Sequence, residues 1–541
     1  MNSAFSKIKH FLSYKIVTIA ILAIAISSRI IQLTYFFNLK ADRSHQTIAT
    51  QNLLYGHGIS SAQVLPDNLS EIIYHPLIKW PPGYSFLLSP FYALFNHNYI
   101  AAGLTLDLFF AIIFIFITRK ILKTFESPLY LINIYTLATS FLIYSFYQKP
   151  SSDAIAITLF LITLYFTLQL LKTDSNWKLK IVGIIIPLFI CAFTKYLYMP
   201  VVFIIPAFLT IKGWADNRKQ LKKAGIISFL IIAAILTTLL LYQKSISGTV
   251  GYIAQPTRGF FPENLFSIYP LIPASFVNPD TVSQLTGQQP DIHTAGYKIF
   301  QLLHILLALG VISYVLLILF KRGIKKISLS GDFLYLLFFI SLSITVLLIA
   351  LSLRVAKENN VWTYIQEPRY FGLSVVLLQM AAFINCQYHH IRQSRVLKFV
   401  FYIIILLLLT EMIHGVYFTA KRLINYKKEV YGWQHDFRFQ QFAQTVIQKE
   451  QQKKPIKNII LACSSPYMNN RISLYSHIPI LREIDKINNL SSLNTKTSVL
   501  LLVVLREDAL KDFAPFLSLK EKEDGGHFAG FYFYTVYVEP H

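Results

Sequence analysis

Residues 41–58 read ADRSHQTIATQNLLYGHG, and residues 78–95 read IKWPPGYSFLLSPFYALF. In the first stretch Ile48, Leu54 and Tyr55 share one side of a helix while Asp42, His45 and Gln46 face another, as in a helix lying at a membrane surface. Gly56 and Gly58 stop that helix. A polar loop follows, and Pro82 suits the first turn of a second helix. Two interfacial helices joined by a flexible strap are therefore expected.

The surroundings make this stretch a loop of a membrane protein. Apolar runs long enough to cross a hydrocarbon core of roughly 30 Å flank it at 14–36 and 99–118. Further runs follow at 128–147, 154–171, 224–242, 299–320, 332–353, 371–388 and 396–418. Of the 541 residues, 54% are hydrophobic and 14% charged, too little polar surface for a soluble multi-domain enzyme. The mean hydropathy is +0.49.

A formal charge of +23 suggests nucleic acid at first sight, but the basic residues cluster in short connections. Arg119, Lys120 and Lys123 form one such cluster, and Arg218, Lys219, Lys222 and Lys223 another. That is the positive-inside pattern, a topology signal, so no nucleic-acid partner is expected. Keeping every cluster in the cytoplasm forces 181–211 to cross and return as two short helices broken near Lys195 and Tyr196. The total becomes about eleven spans, with the N-terminus inside and the C-terminus outside. The first run reads as an uncleaved anchor, and Cys191, Cys386 and Cys463 show no pairing or zinc spacing.

The expected fold class is thus an all-α polytopic membrane protein with interfacial helices in its first outer loop, plus a small C-terminal α/β soluble domain. The membrane domain is expected over 1–418, with outer loops at 37–98 and 243–298, and the soluble domain over 419–541. In that last segment a polar helix is expected near 434–450. Apolar strands are expected at 458–463, 498–505 and 531–538, and a helix-like stretch near 507–517. No nucleotide or metal fingerprint occurs there, so no catalytic role is assigned to it.

The chemistry-bearing residues lie on the outward side of this topology. They are Asp42, the Lys79-Trp80-Pro81-Pro82-Gly83-Tyr84 motif, Asp153 in KPSSDA, Lys195-Tyr196, Arg258 in the proline-rich second loop, and Arg369-Tyr370 in EPRY. One carboxylate among several cations suits transfer from a lipid-linked phosphate donor: cations hold the phosphate and the carboxylate takes a proton from an incoming hydroxyl. Each has a blander reading. Asp42 alone is a solvated acid, Trp80 and Tyr84 belong to an aromatic belt, and Asp153 after two serines caps a helix. Lys79 snorkels, and Arg369 pairs with Glu367 at the surface. His45 lies three residues after Asp42 but has no further ligand at matching spacing, so a divalent metal is not indicated.

A first loop of the form D…A…LL.GHG…WPPGYSFLL, a span opening near an acidic residue and a late PRY before another span resemble the GT-C superfamily of membrane glycosyltransferases. Within it the chain looks most like the bacterial relatives of protein O-mannosyltransferases and of the lipid A aminoarabinose transferase. The resemblance covers roughly 15–390. It implies a sugar donor carried on polyprenyl phosphate, with no other certain cofactor, and inverting transfer to a glycan, lipid or protein acceptor. It also implies Asp42 as the catalytic aspartate, Asp153 at the second acidic position, and Lys79 and Arg369 on the donor phosphate. A bacterial inner-membrane location with an outward-facing C-terminal domain goes with it. One departure stands out: where many relatives have an Asp-Glu pair, Arg43 follows Asp42. The rival classes are a lipid or glycan transporter or flippase, whose polar residues would sit at mid-span, and an inactive GT-C-fold scaffold in envelope assembly.

Overall fold

The computed structural model describes residues 7, 9–37, 39, 41–77, 80–142, 144, 147, 152–248, 276, 372–385, 395–425, 432–454, 456 and 458–540. Lys79, Arg258, Arg369, Tyr370 and the expected spans at 299–320 and 332–353 lie outside them, as does the 243–298 loop apart from 243–248 and 276. The chain groups into two compact units: Met1–Leu33 with Asp107–Lys427, and Thr34–Leu106 with Lys428–His541.

The first unit is helical. Its elements are α1 (Lys15–Phe36), α4 (Tyr99–Thr124), α5 (Leu129–Phe141), α6 (Ser152–Lys172), α7 (Trp177–Thr194), α8 (Ile204–Ala215), α9 (Lys219–Ser247), α10 (Gly372–Asn385) and α11 (Arg395–Ile424); α1 and α4 also contribute residues to the second unit. Among the described residues seven helices are long and apolar enough to cross a membrane, so the chain is an integral membrane protein. Leu129–Phe141 and Gly372–Ile384 are shorter apolar helices.

Two breaks are informative. The helix α7 ends at Thr194, and Lys195 is extended at φ −148° and ψ 120°. Short 3-10 turns at Tyr196–Tyr198 and Val201–Phe203 then lead into α8. The break falls near Lys195 and Tyr196, where the sequence placed it, and Pro200, which has no N–H to continue a helical ladder, leads into the second turn. The expected span at 128–147 is different: its helix stops at Phe141. Carbonyls left bare inside a membrane are costly, and α1 supplies their donors. Ser28 Oγ donates to Ser140 O at 3.0 Å and Gln32 Nε2 donates to the same oxygen at 3.2 Å. The buried Arg29 guanidinium donates to Thr139 O and, at 3.2 Å, to Tyr147 O.

The second unit is an α/β domain drawn from two distant parts of the chain. Helices α2 (Ala41–Leu54) and α3 (Gly83–Leu94) come from the N-terminal of these parts, and α12 (Gly432–Lys453), α13 (Pro466–Ser476) and α14 (Ala514–Leu517) from the C-terminal one. The expected strap between α2 and α3 is instead a β-hairpin, β1 (Ser60–Leu65) and β2 (Asn68–Pro76). It joins β3 (Asn458–Cys463), β4 (Ile480–Leu481), β5 (Val499–Arg506), β6 (Glu523–Phe528) and β7 (Phe531–Val538) in one sheet of order β2-β1-β4-β3-β5-β7-β6. β1 runs parallel to β4, with Gln63 opposite Ile480 and Val64 opposite Leu481.

β5 reads VLLLVVLR because both of its faces are covered, which removes the usual alternation. Leu502 and Val504 pack with Phe439, Ala443 and Ile472 of α12 and α13. Leu501, Val503 and Leu505 pack on the other face with Phe513, Phe516 and, from the hairpin, Val64 and Leu69. Full burial of such a side chain contributes about 1.5–3 kcal/mol, so the hairpin is held by its own core residues as well as by ladder bonds.

Candidate functional site

In the second unit, α2 is not a surface helix. Arg43, Ser44, Gln46, Thr47, Ile48, Ala49 and Thr50 are all buried. Asp42 sits in its first turn, where the helix dipole favours a carboxylate. The Trp-Pro-Pro-Gly-Tyr motif docks against it. The Trp80 indole stacks on the His45 imidazole with centroids 4.5 Å apart, and Ser85 Oγ donates to Gln46 O at 2.8 Å. Thr50 Oγ1 in turn donates to Ser85 O at 3.3 Å. Pro82 is the N-cap of α3 and Gly83 its first residue, so the two prolines aim the motif at α2. Trp80 and Tyr84 are buried rather than part of a solvent-edge aromatic belt.

Arg43, which directly follows Asp42, lays its guanidinium on the Phe37 ring, 4.4 Å from the centroid. One turn after Asp42, both side-chain amide atoms of Gln46 are buried and make no hydrogen bond among the described residues. A buried amide left so costs about 1–3 kcal/mol per group, which makes this position unusual.

In the first unit the structure joins two residues that the sequence offered separately. Lys195 Nζ lies 3.0 Å from Asp153 Oδ1 and donates to Oδ2 at 3.1 Å. Both side chains are nearly buried, so this is an ion pair in a low-dielectric setting and not a surface contact. Asp153 occupies the first turn of α6, and Lys195 the break after α7, where the irregular backbone frees its side chain to turn inward. Tyr196 OH accepts a hydrogen bond from Gln243 Nε2 at 2.6 Å.

Three buried ionisable residues that the sequence motifs do not single out lie inside apolar runs: Arg29, Asp107 and Glu411. The available signal was their presence there at all. The Arg29 guanidinium sits 4.6 Å from the Tyr147 ring centroid and lines, with Phe110, Phe114 and Thr158, a cavity of about 20 Å³. That is roughly the space of one water, so the cavity is too small for a phosphate and Arg29 acts as a cap for α5. Among the described residues no three His, Cys, Asp or Glu side chains gather as metal ligands.

No family model matches the chain, and no curated protein matches it. Solved structures do. ArnT from Cupriavidus metallidurans bound to undecaprenyl phosphate aligns with a TM-score of 0.50 at 12% identity, over 96% of this chain and 97% of that one. The same protein in the apo state aligns with a TM-score of 0.50 at 14% identity, over the same shares. The arabinofuranosyltransferase AftD from Mycobacteria aligns with a TM-score of 0.47 at 9% identity, over 98% of this chain and 40% of that one. The likeness to ArnT extends over nearly the whole length of both chains, and the chain therefore has the fold of ArnT.

Proposed function

We propose that the chain is a glycosyltransferase that moves a sugar from a polyprenyl-phosphate carrier to an acceptor hydroxyl on the outer side of the membrane. The observation that carries this reading is the docking of the Trp80 motif on the helix that bears Asp42, in a chain of the ArnT fold. ArnT was solved bound to undecaprenyl phosphate, which supports a carrier of that class.

In the proposed reaction Asp42 takes the proton of the acceptor hydroxyl. The oxygen so freed bonds to the anomeric carbon from the face opposite the phosphate, and the bond from that carbon to the phosphate oxygen breaks. The phosphate leaves with the electron pair, and the configuration inverts. Phosphate is a good leaving group, so the protein's main contribution is positioning and charge stabilisation. Lys79 is assigned to the donor phosphate, with help from Lys195 or Arg369. Trp80, Tyr84, Tyr196, Arg258 and Tyr370 are assigned to binding the substrates.

The test compares membranes containing the wild-type chain or Asp42→Asn, at equal expression, for transfer from a mixed pool of radiolabelled polyprenyl-phosphate sugars. A product that falls by about 10²–10⁴-fold in the variant supports Asp42 as the base. An unchanged product removes it. No product from either chain moves weight to a transporter, the reading favoured by the helix that stops at Phe141 among buried polar side chains.

A further inference from the structure

We propose that Arg471, in the C-terminal part of the chain, is a positioning residue for Asp42; the proposal rests on the reading of Asp42 as the base. Arg471 lies on α13 and is 9% exposed. Its Nε donates to Leu39 O at 3.0 Å, three residues before Asp42. The carbonyl it holds is in the chain's entry into α2, so the bond sets where the first turn of that helix begins. Arg471 is itself held: Gln440 Nε2 donates to its backbone oxygen at 3.0 Å, and Tyr99 OH donates to Gln440 Oε1.

The far end of α2 is tied to the same helix α13. Gln51 Nε2 reaches Leu474 O at 3.3 Å and His477 Nδ1 at 2.6 Å. The hairpin adds a third tether, for Arg482 N donates to Val64 O at 3.1 Å and Asn494 N donates to Pro66 O at 2.8 Å. With Gln51 and the hairpin intact, loss of Arg471 would release the entry of α2 alone, the end that carries Asp42. Misplacement of a reacting group by about 1 Å costs about 10²-fold in rate. A C-terminal segment without nucleotide or metal motifs thus takes part in the chemistry by fixing a helix it does not itself contain.

The test uses the full chain in membranes, comparing Arg471→Met, Arg471→Lys and Asp42→Asn, with Glu523→Gln as a variant of the same domain remote from α2. Arg471→Met is expected to lower kcat by about 100-fold with little change in donor KM. Arg471→Lys should recover much of that loss, since an ammonium can reach the same carbonyl. A wild-type kcat per folded molecule in Arg471→Met, or a loss confined to thermal stability, overturns the proposal. If Arg471→Met does not accumulate folded, Gln440→Met decides, with a kcat decrease of about 10-fold expected for the loosened Arg471 backbone and an unchanged kcat overturning it. A fully active Asp42→Asn would remove the base, whereas an inactive Asp42→Asn beside a fully active Arg471→Met would remove only the positioning role.

Discussion

Lys195 and Asp153 form a buried ion pair, with the ammonium 3.0 Å from one carboxylate oxygen and 3.1 Å from the other. Removing one member leaves the other charged and unpaired in a low dielectric, at a cost of about 3–5 kcal/mol. Asp153→Asn and Lys195→Met should each lower the melting temperature sharply, and the double variant should lose less than the sum of the two. Transfer activity should not return in the double variant, because the proposed role of Lys195 needs its charge. Thermal melts and transfer rates on the three variants check both parts.

Gln46 buries both amide atoms without a partner among the described residues, at an expected cost of about 1–3 kcal/mol for each group. Gln46→Leu should therefore raise thermal stability. Asp42 and Gln46 are four residues apart on one helix face, so the same variant should lower transfer if the amide serves the substrate. A stabilised variant with unchanged kcat and KM would make the residue a packing defect only.

The second unit should weaken in acid. Burial, with Arg482 as a lesser cause, holds the His75 imidazole below its ordinary 6.5, and burial followed by His97 does the same to His477. The folded chain thus prefers both rings neutral, while the unfolded chain takes up protons from about pH 6.5 downward. Their stabilising effect is present above pH 6.5 and is lost as the pH falls through the depressed folded values. Gln51 donates to His477 Nδ1, so protonation there also breaks a tether of α2. Melting temperatures taken from about pH 8 to about pH 5 should fall in wild type and fall less in His477→Gln.

Arg29 supplies donors to the carbonyls of Thr139 and Tyr147. Arg29→Met should cost about 1–3 kcal/mol for each carbonyl left bare, and Arg29→Lys less. Protease resistance of the purified protein reports the change. An Arg29→Met protein as resistant as wild type would refute the capping role.

Much of the membrane architecture was legible because its signal is local. Runs such as 154–171 and 224–242 are apolar over a membrane's width, and the helices Ser152–Lys172 and Lys219–Ser247 cover them. The break at Lys195 is local too, since it interrupts an apolar stretch within a few residues. In the C-terminal segment, NIILAC and FYFYTVYV are strands over the residues expected.

What escaped has partners far away in sequence. SSAQVL at 60–65 has little strand character, and β4 is two residues long, yet each completes the ladder of the other. The burial of α2 depends on α13, some four hundred residues later, so a helix patterned for a surface lies inside. The pairing of Asp153 with Lys195 likewise needs α6 and the end of α7 to meet. The apolar spans and the break at Lys195 could be read from the chain alone, because hydropathy acts on its own neighbourhood. Only the tertiary structure decided which charges are paired and which segments share a sheet. Those choices are made by contacts that close loops from 42 residues, for Asp153 and Lys195, to 432, for Leu39 and Arg471, and a local pattern carries no record of them.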